Sequence, residues 1–240
     1  MTPNKVSFVV PAHNEAPLLA ATLRAIHAAA AANAIDYEVV VADDASTDST
    51  AQIATDCNAR VISVQHRKIS ATRNSGARST DGDLIVFVDA DTLINAEVLR
   101  AALAAVAGGA IGGGATVCFD GRIPLYARLL MPAATAAMRR ARMAAGCFVF
   151  CTRTAFEAVG GFNEKLFGAE ELALSAALKK IGDFTILRET VTTSGRKLRT
   201  YSGLELLGII ARGALSGGTM LKRRDQMDFW YAPRRADPQR

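Results

Sequence analysis

Short apolar runs alternate with amphipathic segments along the first hundred residues of the chain. The runs Val6–Val10, Tyr37–Ala42, Arg60–Val64 and Leu84–Val88 predict strands, because each is mostly apolar and is bounded by polar or turn-forming residues. The segments between them carry apolar residues at helical spacing, and the second of these helices is predicted to begin around Ser46 or Thr47. This alternation predicts an α/β fold with a doubly wound, mostly parallel sheet flanked by helices.

Polar clusters follow three of these predicted strands. They are Pro11–Glu15, Asp43-Asp44 and Asp89–Asp91, and Pro11 is expected to end the first strand because it cannot extend a hydrogen-bonded ladder. In parallel sheets, ligands bind outside the carboxyl ends of the strands. The sequence therefore predicts that the three clusters converge on one binding site.

Asp89 and Asp91 indicate what this site would bind. Side chains two residues apart on an extended segment point the same way, and two carboxylates repel each other unless a cation lies beside them. Mg²⁺ and Mn²⁺ prefer carboxylate oxygen and often share a site with phosphate. The pattern predicts a nucleotide-like ligand bound with a divalent metal, and the alternative for so short a motif is a solvated turn. The glycine-rich signatures of dinucleotide and ATP cradles are absent from the sequence.

The second half of the chain predicts a less regular mixture of helices and strands. Glu170 and Glu171 are expected to start a helix, where first-turn acids are common for electrostatic reasons alone. Other helices are predicted at Lys68–Ser79, Asn95–Ala107, Leu125–Met143 and Leu204–Leu215, and strands at Ala115–Phe119, Gly146–Thr152 and Thr185–Leu187. Ser194–Arg199 is predicted as a basic loop.

Composition and charge bound the class of protein. A chain of 240 residues that is 50% hydrophobic can bury the core of one large domain. Residues 1–193 carry 18 Lys and Arg against 19 Asp and Glu, whereas residues 194–240 carry 10 against 4. The basic C-terminus suits an anionic membrane surface or a phosphorylated substrate, or serves only solubility. Nucleic-acid binding is a weaker option and is not expected.

Cysteine usage and hydropathy indicate a cytoplasmic location. The four cysteines form no C-x-x-C pair and are predicted to pack as small apolar residues in a reducing compartment. The N-terminus leads directly into a strand, so no secretory signal is predicted. Residues 101–119 are uncharged but weakly hydrophobic and interrupted by glycines, which favours a helix, a turn and a strand over a membrane span. Peripheral contact with the inner face of the membrane through the basic C-terminus is the remaining option.

Several motifs in a fixed order give the chain a family resemblance. Over about residues 5–200 it resembles an inverting glycosyltransferase of family 2 with the GT-A fold. The motifs are Val-Val-Pro-Ala-His-Asn-Glu, Asp-Asp-Ala-Ser-Thr-Asp-Ser-Thr, Arg73-Asn74-x-Gly76, Asp-Ala-Asp, Gly-Gly-Phe-Asn-Glu, and Glu-Glu at the start of a helix that ends in Lys-Lys-x-Gly. The resemblance implies a nucleotide-sugar half at about 1–92, an acceptor half at about 93–200, and an appended apolar helix and basic tail at 201–240.

The resemblance also implies roles for individual residues on the donor side. Asp44 would accept a hydrogen bond from the base, and His13 stands where family members often have tyrosine. Asp89 would face the ribose and metal region, and Asp91 would bind Mn²⁺ or Mg²⁺. The base and ribose would lie against Pro11, Ala12, His13 and Glu15, and the diphosphate would lie near Arg73, Lys68 and Arg196.

On the acceptor side, the family's acidic pair aligns with Glu170 and Glu171. The second member is normally Asp and acts as general base, so Glu171 is one methylene longer than expected. The Q-x-x-R-W motif and transmembrane helices of processive relatives do not occur in the sequence, which favours single addition. The expected donor is a UDP-sugar, with GDP and dTDP as alternatives, and the acceptor would be a lipid, a polysaccharide or a small metabolite. The rival interpretations are a nucleotidyltransferase and a catalytically silent nucleotide-sugar-binding protein.

Overall fold

The computed structural model describes residues 3–205, 208, 212, 216 and 219–231 of the chain. Within these residues, eight strands form one sheet. The strands are β1 (Lys5–Ala12), β2 (Asp36–Asp44), β3 (Arg60–Val64), β4 (Leu84–Val88), β5 (Thr92–Leu93), β6 (Gly112–Phe119), β7 (Phe148–Thr152) and β8 (Phe184–Thr193).

The helices lie between these strands and beyond the last of them. They are α1 (Ala16–Ala32), α2 (Thr50–Asp56), α3 (Ile69–Arg78), α4 (Ala96–Ala107), α5 (Leu125–Ala141), α6 (Arg153–Ala158), α7 (Glu170–Leu178), α8 (Arg196–Thr200) and α9 (Asp228–Tyr231), with short 3₁₀ turns at Thr219–Lys222 and Arg224–Gln226. No helix of the described residues is both long and apolar enough to cross a bilayer.

The sheet order is β3-β2-β1-β4-β7-β6-β8-β5. Strands β1 to β4 are parallel to one another and β6 is parallel to β8, whereas β7 runs antiparallel to both β4 and β6, and β5 runs antiparallel to β8. The predicted α/β class with a doubly wound, mostly parallel sheet is therefore confirmed. The antiparallel strand β7 separates the four parallel strands β3-β2-β1-β4 from the parallel pair β6-β8.

Both faces of the sheet are covered, which explains why the central strands are apolar throughout. All five residues of β4 are buried, and they alternate between two core clusters. Val86 and Phe8 pack on the face covered by α1 and α4, whereas Phe87 and Val9 pack on the face that holds Phe162. A strand buried on both sides reads as a continuous hydrophobic run instead of an alternating one.

The N-terminal boundaries differ from the prediction at two places. β1 continues through Pro11 to Ala12 because β2 still pairs with it there, whereas pairing with β4 ends at Val9. Helix α2 begins at Thr50 and not near Ser46 or Thr47. The reason is that Asp48 lies before the helix, where its carboxylate accepts bonds from the Thr50 backbone N–H and hydroxyl.

The second half contains three further differences. β6 begins at Gly112, because its glycines allow close packing: a Cβ on Gly113 would lie 2.3 Å from the carbonyl oxygen of Thr185. β8 extends from Phe184 to Thr193, much further than predicted, through its pairing with β6. Residues Arg196–Thr200 form a short helix and not a loop. The predicted helix Leu204–Leu215 lies mostly outside the described residues.

Candidate active site

A cavity of about 580 Å³ opens at the carboxyl ends of β1, β2 and β4. The chain segments that follow these three strands form one side of it, and α8 with the C-terminal residues forms the other. Nine of the residues predicted for the site line this cavity: Pro11, Ala12, His13, Glu15, Asp44, Lys68, Asp89, Asp91 and Arg196. The expected convergence of the three polar clusters on one pocket is therefore observed.

The first two clusters are locked together by hydrogen bonds between their loops. The side-chain oxygen of Asn14 accepts from the backbone N–H of Thr47 at 2.7 Å, and Glu15 donates its backbone N–H to the Thr50 hydroxyl at 2.8 Å. His13 Nδ1 lies 2.7 Å from the backbone oxygen of Asp44. Because a carbonyl oxygen only accepts, Nδ1 carries the proton in this contact. The imidazole ring is thereby fixed at the rim of the cavity.

Asp44 organises the segment that joins β3 to α3. Its carboxylate accepts the backbone N–H groups of Arg67 and Lys68 at 2.8 and 3.0 Å and the Thr72 hydroxyl at 2.8 Å. Arg67 has a φ of 50°, a left-handed conformation that is uncommon for a residue with a side chain. Asp44 therefore stabilises the wall of the cavity. Asp43, the other member of this cluster, does not line the cavity.

Asp91 lies between cationic side chains. Arg196 Nη2 is 3.8 Å from an oxygen of Asp91 and 3.9 Å from an oxygen of Glu15, and the Thr193 hydroxyl is 3.3 Å from the other Asp91 oxygen. Burial and the nearby Asp89 carboxylate raise the pKa of Asp91 to about 6, although Arg196 and Lys197 act in the opposite direction. A carboxylate in this situation favours additional positive charge beside it.

Two carboxylates alone do not complete a divalent-cation site, so a cation here would also need oxygen atoms from a bound ligand. Among the described residues, no three His, Cys, Asp or Glu side chains form a cluster that could hold a metal. Mg²⁺ in particular is usually held by one or two carboxylates together with substrate phosphate oxygens. Asp89 and Asp91 match the protein's share of such a site, and positive charge beside them would oppose the repulsion that raises the pKa of Asp91.

Arg73 lies behind the cavity and connects its acidic residues. The buried guanidinium donates to Asp89 at 2.7 Å, to Glu170 at 2.8 Å and to the backbone oxygen of Gly146 at 3.0 Å. Burial alone would lower the pKa of Arg73, but Asp89, Glu170 and Glu171 outweigh it and raise that pKa. Arg73 does not line the cavity, so its placement differs from the expected contact with a diphosphate.

Glu170 and Glu171 begin α7 as predicted, and they differ in environment. Glu170 is buried and paired with Arg73. Glu171 is partly exposed. Its carboxyl carbon lies beside Gly146, 3.3 Å from the position that a Cβ on this glycine would occupy. Burial and the neighbouring Glu170 raise the pKa of Glu171 to about 7, while Arg73 opposes the shift. Neither residue lines the cavity itself, and Glu170 alone is joined to Asp89 through the guanidinium of Arg73.

Part of the cavity wall was not predicted from the sequence. Lys197 lines the cavity beside Arg196, and burial lowers its pKa although Asp91 and Asp89 oppose the shift. The C-terminal residues contribute an aromatic portion, in which Tyr231 packs edge-on against Phe167 and Lys197 lies 5.0 Å from the ring of Phe229. Asn14 and Ala90 belong to the predicted clusters, and the lining residues outside the prediction are Arg67, Ile69, Thr72, Lys197, Thr200, Tyr201, Arg224, Phe229 and Tyr231. The only sequence signal for the C-terminal portion was its mixture of aromatic and basic residues.

The comparisons with known proteins agree with this fold. The family described as Glycosyl transferase family 2 matches residues 7–158, more than half of the chain. The chain therefore belongs to glycosyl transferase family 2. The C-terminal wall of the cavity lies outside the matched residues.

Individual relatives are distant. Validoxylamine A glucosyltransferase of Streptomyces hygroscopicus subsp. jinggangensis is 33% identical over 110 residues, which cover 43% of this chain and 26% of the relative. The mannosyltransferase PcManGT from Pyrobaculum calidifontis, in complex with GDP-Man and Mn²⁺, has a TM-score of 0.65 at 20% identity and covers 90% of this chain and 62% of that one. TarS 1-349 of S. aureus, in complex with UDP-GlcNAc, has a TM-score of 0.62 at 20% identity, with coverages of 79% and 58%.

These similarities support the fold and cover only part of each relative. At 20% identity the two solved structures concern the fold, and they confirm the expected GT-A architecture. The matched stretches span about a quarter of the length of the curated relatives. The reaction of this chain is therefore inferred from the residues of its own candidate active site.

Proposed function

We propose that the protein transfers a sugar, with inversion, from a nucleoside-diphosphate sugar to an acceptor hydroxyl, one addition at a time. The observation that carries the proposal is the single cavity at the strand ends. Asp91 approaches Arg196 within it, and Arg73 joins Asp89 to Glu170, the neighbour of Glu171 at the start of α7. A donor site and a base are thereby held in one connected arrangement.

The donor would lie along the loops that follow β1 and β2. The fixed ring of His13 offers a flat surface for the base, and the segment held by Asp44 forms part of the cavity wall. UDP is the carrier we propose, and the family resemblance is its support. Lys68, Arg196 and Lys197 supply positive charge toward a diphosphate.

The carboxylates Asp89 and Asp91 would hold Mn²⁺ or Mg²⁺ together with the diphosphate oxygens. A divalent cation there supplies positive charge that stabilises the departing diphosphate. The mannosyltransferase PcManGT, whose solved complex contains Mn²⁺ and GDP-Man, is a relevant precedent. Arg196 would close on the same charge from α8, since its guanidinium already approaches both Glu15 and Asp91.

Glu171 would act as the general base. It removes the proton of the acceptor hydroxyl, and the acceptor oxygen attacks the anomeric carbon from the face opposite the diphosphate. The bond from the anomeric carbon to the diphosphate oxygen breaks, and the nucleoside diphosphate leaves with the bonding electrons. A pKa of about 7 suits this role, because a base is most useful when its pKa lies near the working pH.

Arg73 would position both acidic groups without contacting the donor. Its guanidinium holds Asp89 toward the cavity and Glu170 away from it, which leaves Glu171 as the carboxyl without a direct ion pair to Arg73. The acceptor remains a lipid, a polysaccharide or a small metabolite, because hydroxyl recognition is distributed over loops.

The decisive experiment measures donor binding and donor cleavage separately. We expect one nucleotide sugar of a panel to raise Tm by about 5 °C or more in Mn²⁺ at a concentration of about 100 times Kd. Slow hydrolysis of that donor, followed by release of the nucleoside diphosphate, should be lost in Glu171→Gln while donor binding is retained. Glu97→Gln, a change at an exposed first-turn acid of α4, serves as the control.

Three outcomes would overturn the proposal. Stabilisation by a donor without any cleavage indicates a catalytically silent binding protein. Release of pyrophosphate from a nucleoside triphosphate and a sugar phosphate indicates a nucleotidyltransferase. Unchanged turnover in Glu171→Gln removes this residue from the role of base.

A further inference from the structure

Helix α5 packs weakly against the rest of the protein. Of its 17 residues, only Ala127 is buried. Leu125, Leu129 and Leu130 are 66%, 70% and 61% exposed. Leu125 and Leu129 are one helical turn apart, so they present one apolar stripe to solvent. Exposed leucines grouped in this way mark an interaction surface more often than scattered single ones do.

The charged residues of α5 itself all have the same sign. Arg128, Arg139 and Arg140 lie on the same helix, and the sequence contains no Asp or Glu between Asp120 and Glu157. No ion pair joins these three arginines to a carboxylate of the described residues. The helix therefore presents leucines together with uncompensated positive charge.

The start of α5 and the segment that follows its end lie near the candidate active site. At its start, the Tyr126 hydroxyl lies 3.5 Å from the backbone oxygen of Leu198 in α8, the helix that carries Arg196 and Lys197 into the cavity. Leu204 is 82% exposed and follows Gly203, whose added Cβ would lie 3.4 Å from the ring of Tyr126. The segment after α5 reaches Gly146, next to Glu171.

We propose that α5, extended by Leu204, is the surface by which the protein docks on an anionic membrane. A helix with leucines on one face and arginines beside them lies in the interfacial plane of a bilayer, where acyl chains cover the leucines and anionic headgroups meet the arginines. The absence of acidic residues over this stretch supports a negatively charged partner. This surface is distinct from the basic C-terminus, which the sequence first suggested for membrane contact.

The position of the surface has a consequence that rests on the proposed transfer function. A helix docked in the headgroup region would hold α8 and the cavity close to the membrane plane. An acceptor whose hydroxyl or phosphate is anchored by a lipid would then reach the cavity without leaving the bilayer. Membrane docking itself does not depend on catalysis, so the two proposals can fail separately.

The test is co-sedimentation of the full chain with vesicles. We expect binding to phosphatidylcholine vesicles that contain about 30% phosphatidylglycerol, weak binding to phosphatidylcholine alone, and weakening by about 0.5 M NaCl. Leu125→Ser/Leu129→Ser should weaken binding by roughly tenfold or more. Arg128→Glu/Arg140→Glu should weaken it by at least about 25-fold, at roughly fivefold for each charge removed.

Matched controls separate this surface from general properties of the chain. Leu93→Ser removes an exposed leucine on β5, and Arg24→Glu/Arg100→Glu changes the same net charge on α1 and α4. Both controls should bind as the unaltered protein does. All these positions are exposed, so an unchanged Tm verifies folding.

Several results would overturn the proposal. One is the absence of binding to anionic vesicles, and another is binding that the α5 variants leave intact. Loss of binding in Arg234→Glu/Arg235→Glu, with the α5 variants unaffected, would assign the contact to the C-terminal tail instead. A dimer in solution that Leu125→Ser/Leu129→Ser dissociates, without vesicle binding, would identify α5 as a contact between copies of the chain.

Discussion

Replacing Glu171 by glutamine should remove a pH dependence from the stability of the protein. Burial and the neighbouring Glu170 raise the pKa of Glu171 to about 7, from an ordinary value of 4.5. In the unfolded chain the carboxyl is hydrated and recovers that ordinary value. A carboxyl whose pKa is raised on folding contributes its full stability below the unfolded pKa, and that contribution is lost as the pH rises through the folded pKa.

The magnitude follows from the two pKa values. The interval from 4.5 to about 7 corresponds to about 3 kcal/mol at 1.36 kcal/mol for each pH unit. The Glu171 side chain is partly exposed, and solvent screening reduces the effect, so we expect about 2 kcal/mol. Glutamine has the same shape and no titration. The free energy of unfolding of Glu171→Gln should therefore rise relative to that of the unaltered protein as the pH increases.

Urea unfolding from about pH 4.5 to about pH 8.5 measures this difference. The two unfolding free energies should diverge by about 2 kcal/mol across the interval, and Glu97→Gln should show no such divergence. Turnover should rise with pH toward a plateau above about 7 in the unaltered protein and should be about 10²-fold lower or less in Glu171→Gln. Parallel stability curves for the two proteins would show that Glu171 titrates normally, which refutes the electrostatic argument for its role.

Three further predictions concern the groups around Glu171. Gly146→Val should lower kcat by roughly tenfold or more, because the added Cβ would lie 3.3 Å from the Glu171 carboxyl carbon and 3.4 Å from Arg73 Nη2. Initial rates test this prediction, and an unchanged kcat contradicts it. Asp91→Asn should abolish the Mn²⁺ dependence of donor binding. In the unaltered protein, the affinity for the donor in Mn²⁺ should decrease below about pH 6, where Asp91 becomes protonated. Calorimetry at two pH values measures both effects, and a pH-independent affinity argues against a metal at Asp91. Arg73→Met should lower the free energy of unfolding by about 3 kcal/mol, because it leaves Glu170 buried and unpaired, and Arg73→Met/Glu170→Met should recover part of that loss in the same urea titration; an equal loss in both variants would contradict the ion-pair argument.

Much of the donor side was predictable because its chemistry follows the chain order of a parallel sheet. Strands at Arg60–Val64 and Leu84–Val88 lie at the predicted residues. The carboxyl ends of parallel strands share one edge of the sheet, so polar residues after β1, β2 and β4 had to meet. The boundaries that were wrong depend on tertiary contacts. Pro11 stays in the sheet because β2 continues beside it, and the extent of β8 is set by β6.

The acceptor side was less predictable because its contacts join distant parts of the sequence. Arg73 meets Asp89 across 16 residues and Glu170 across 97 residues, and neither pairing leaves a periodic pattern in the chain. The same holds for Tyr231, which contacts the start of α3 through its hydroxyl, 162 residues from Ile69. The sequence alone predicts a tail for this basic and aromatic C-terminus. In the structure, Arg224, Phe229 and Tyr231 line the cavity.

The acidic pair on α7 illustrates how the fold gives two like residues unlike properties. Consecutive residues of an α-helix are separated by about 100° around its axis, so adjacent glutamates meet Arg73 differently, and only Glu170 forms a direct ion pair with it. Glu170 takes Arg73 at 2.8 Å and is neutralised by it, whereas Glu171 is left with burial and the repulsion of its neighbour, which raise its pKa. The sequence places both acids in a first helical turn, where either could serve the helix dipole. Arg73, contributed by another helix, distinguishes them, and the assignment of Glu171 as base depends on that one ion pair.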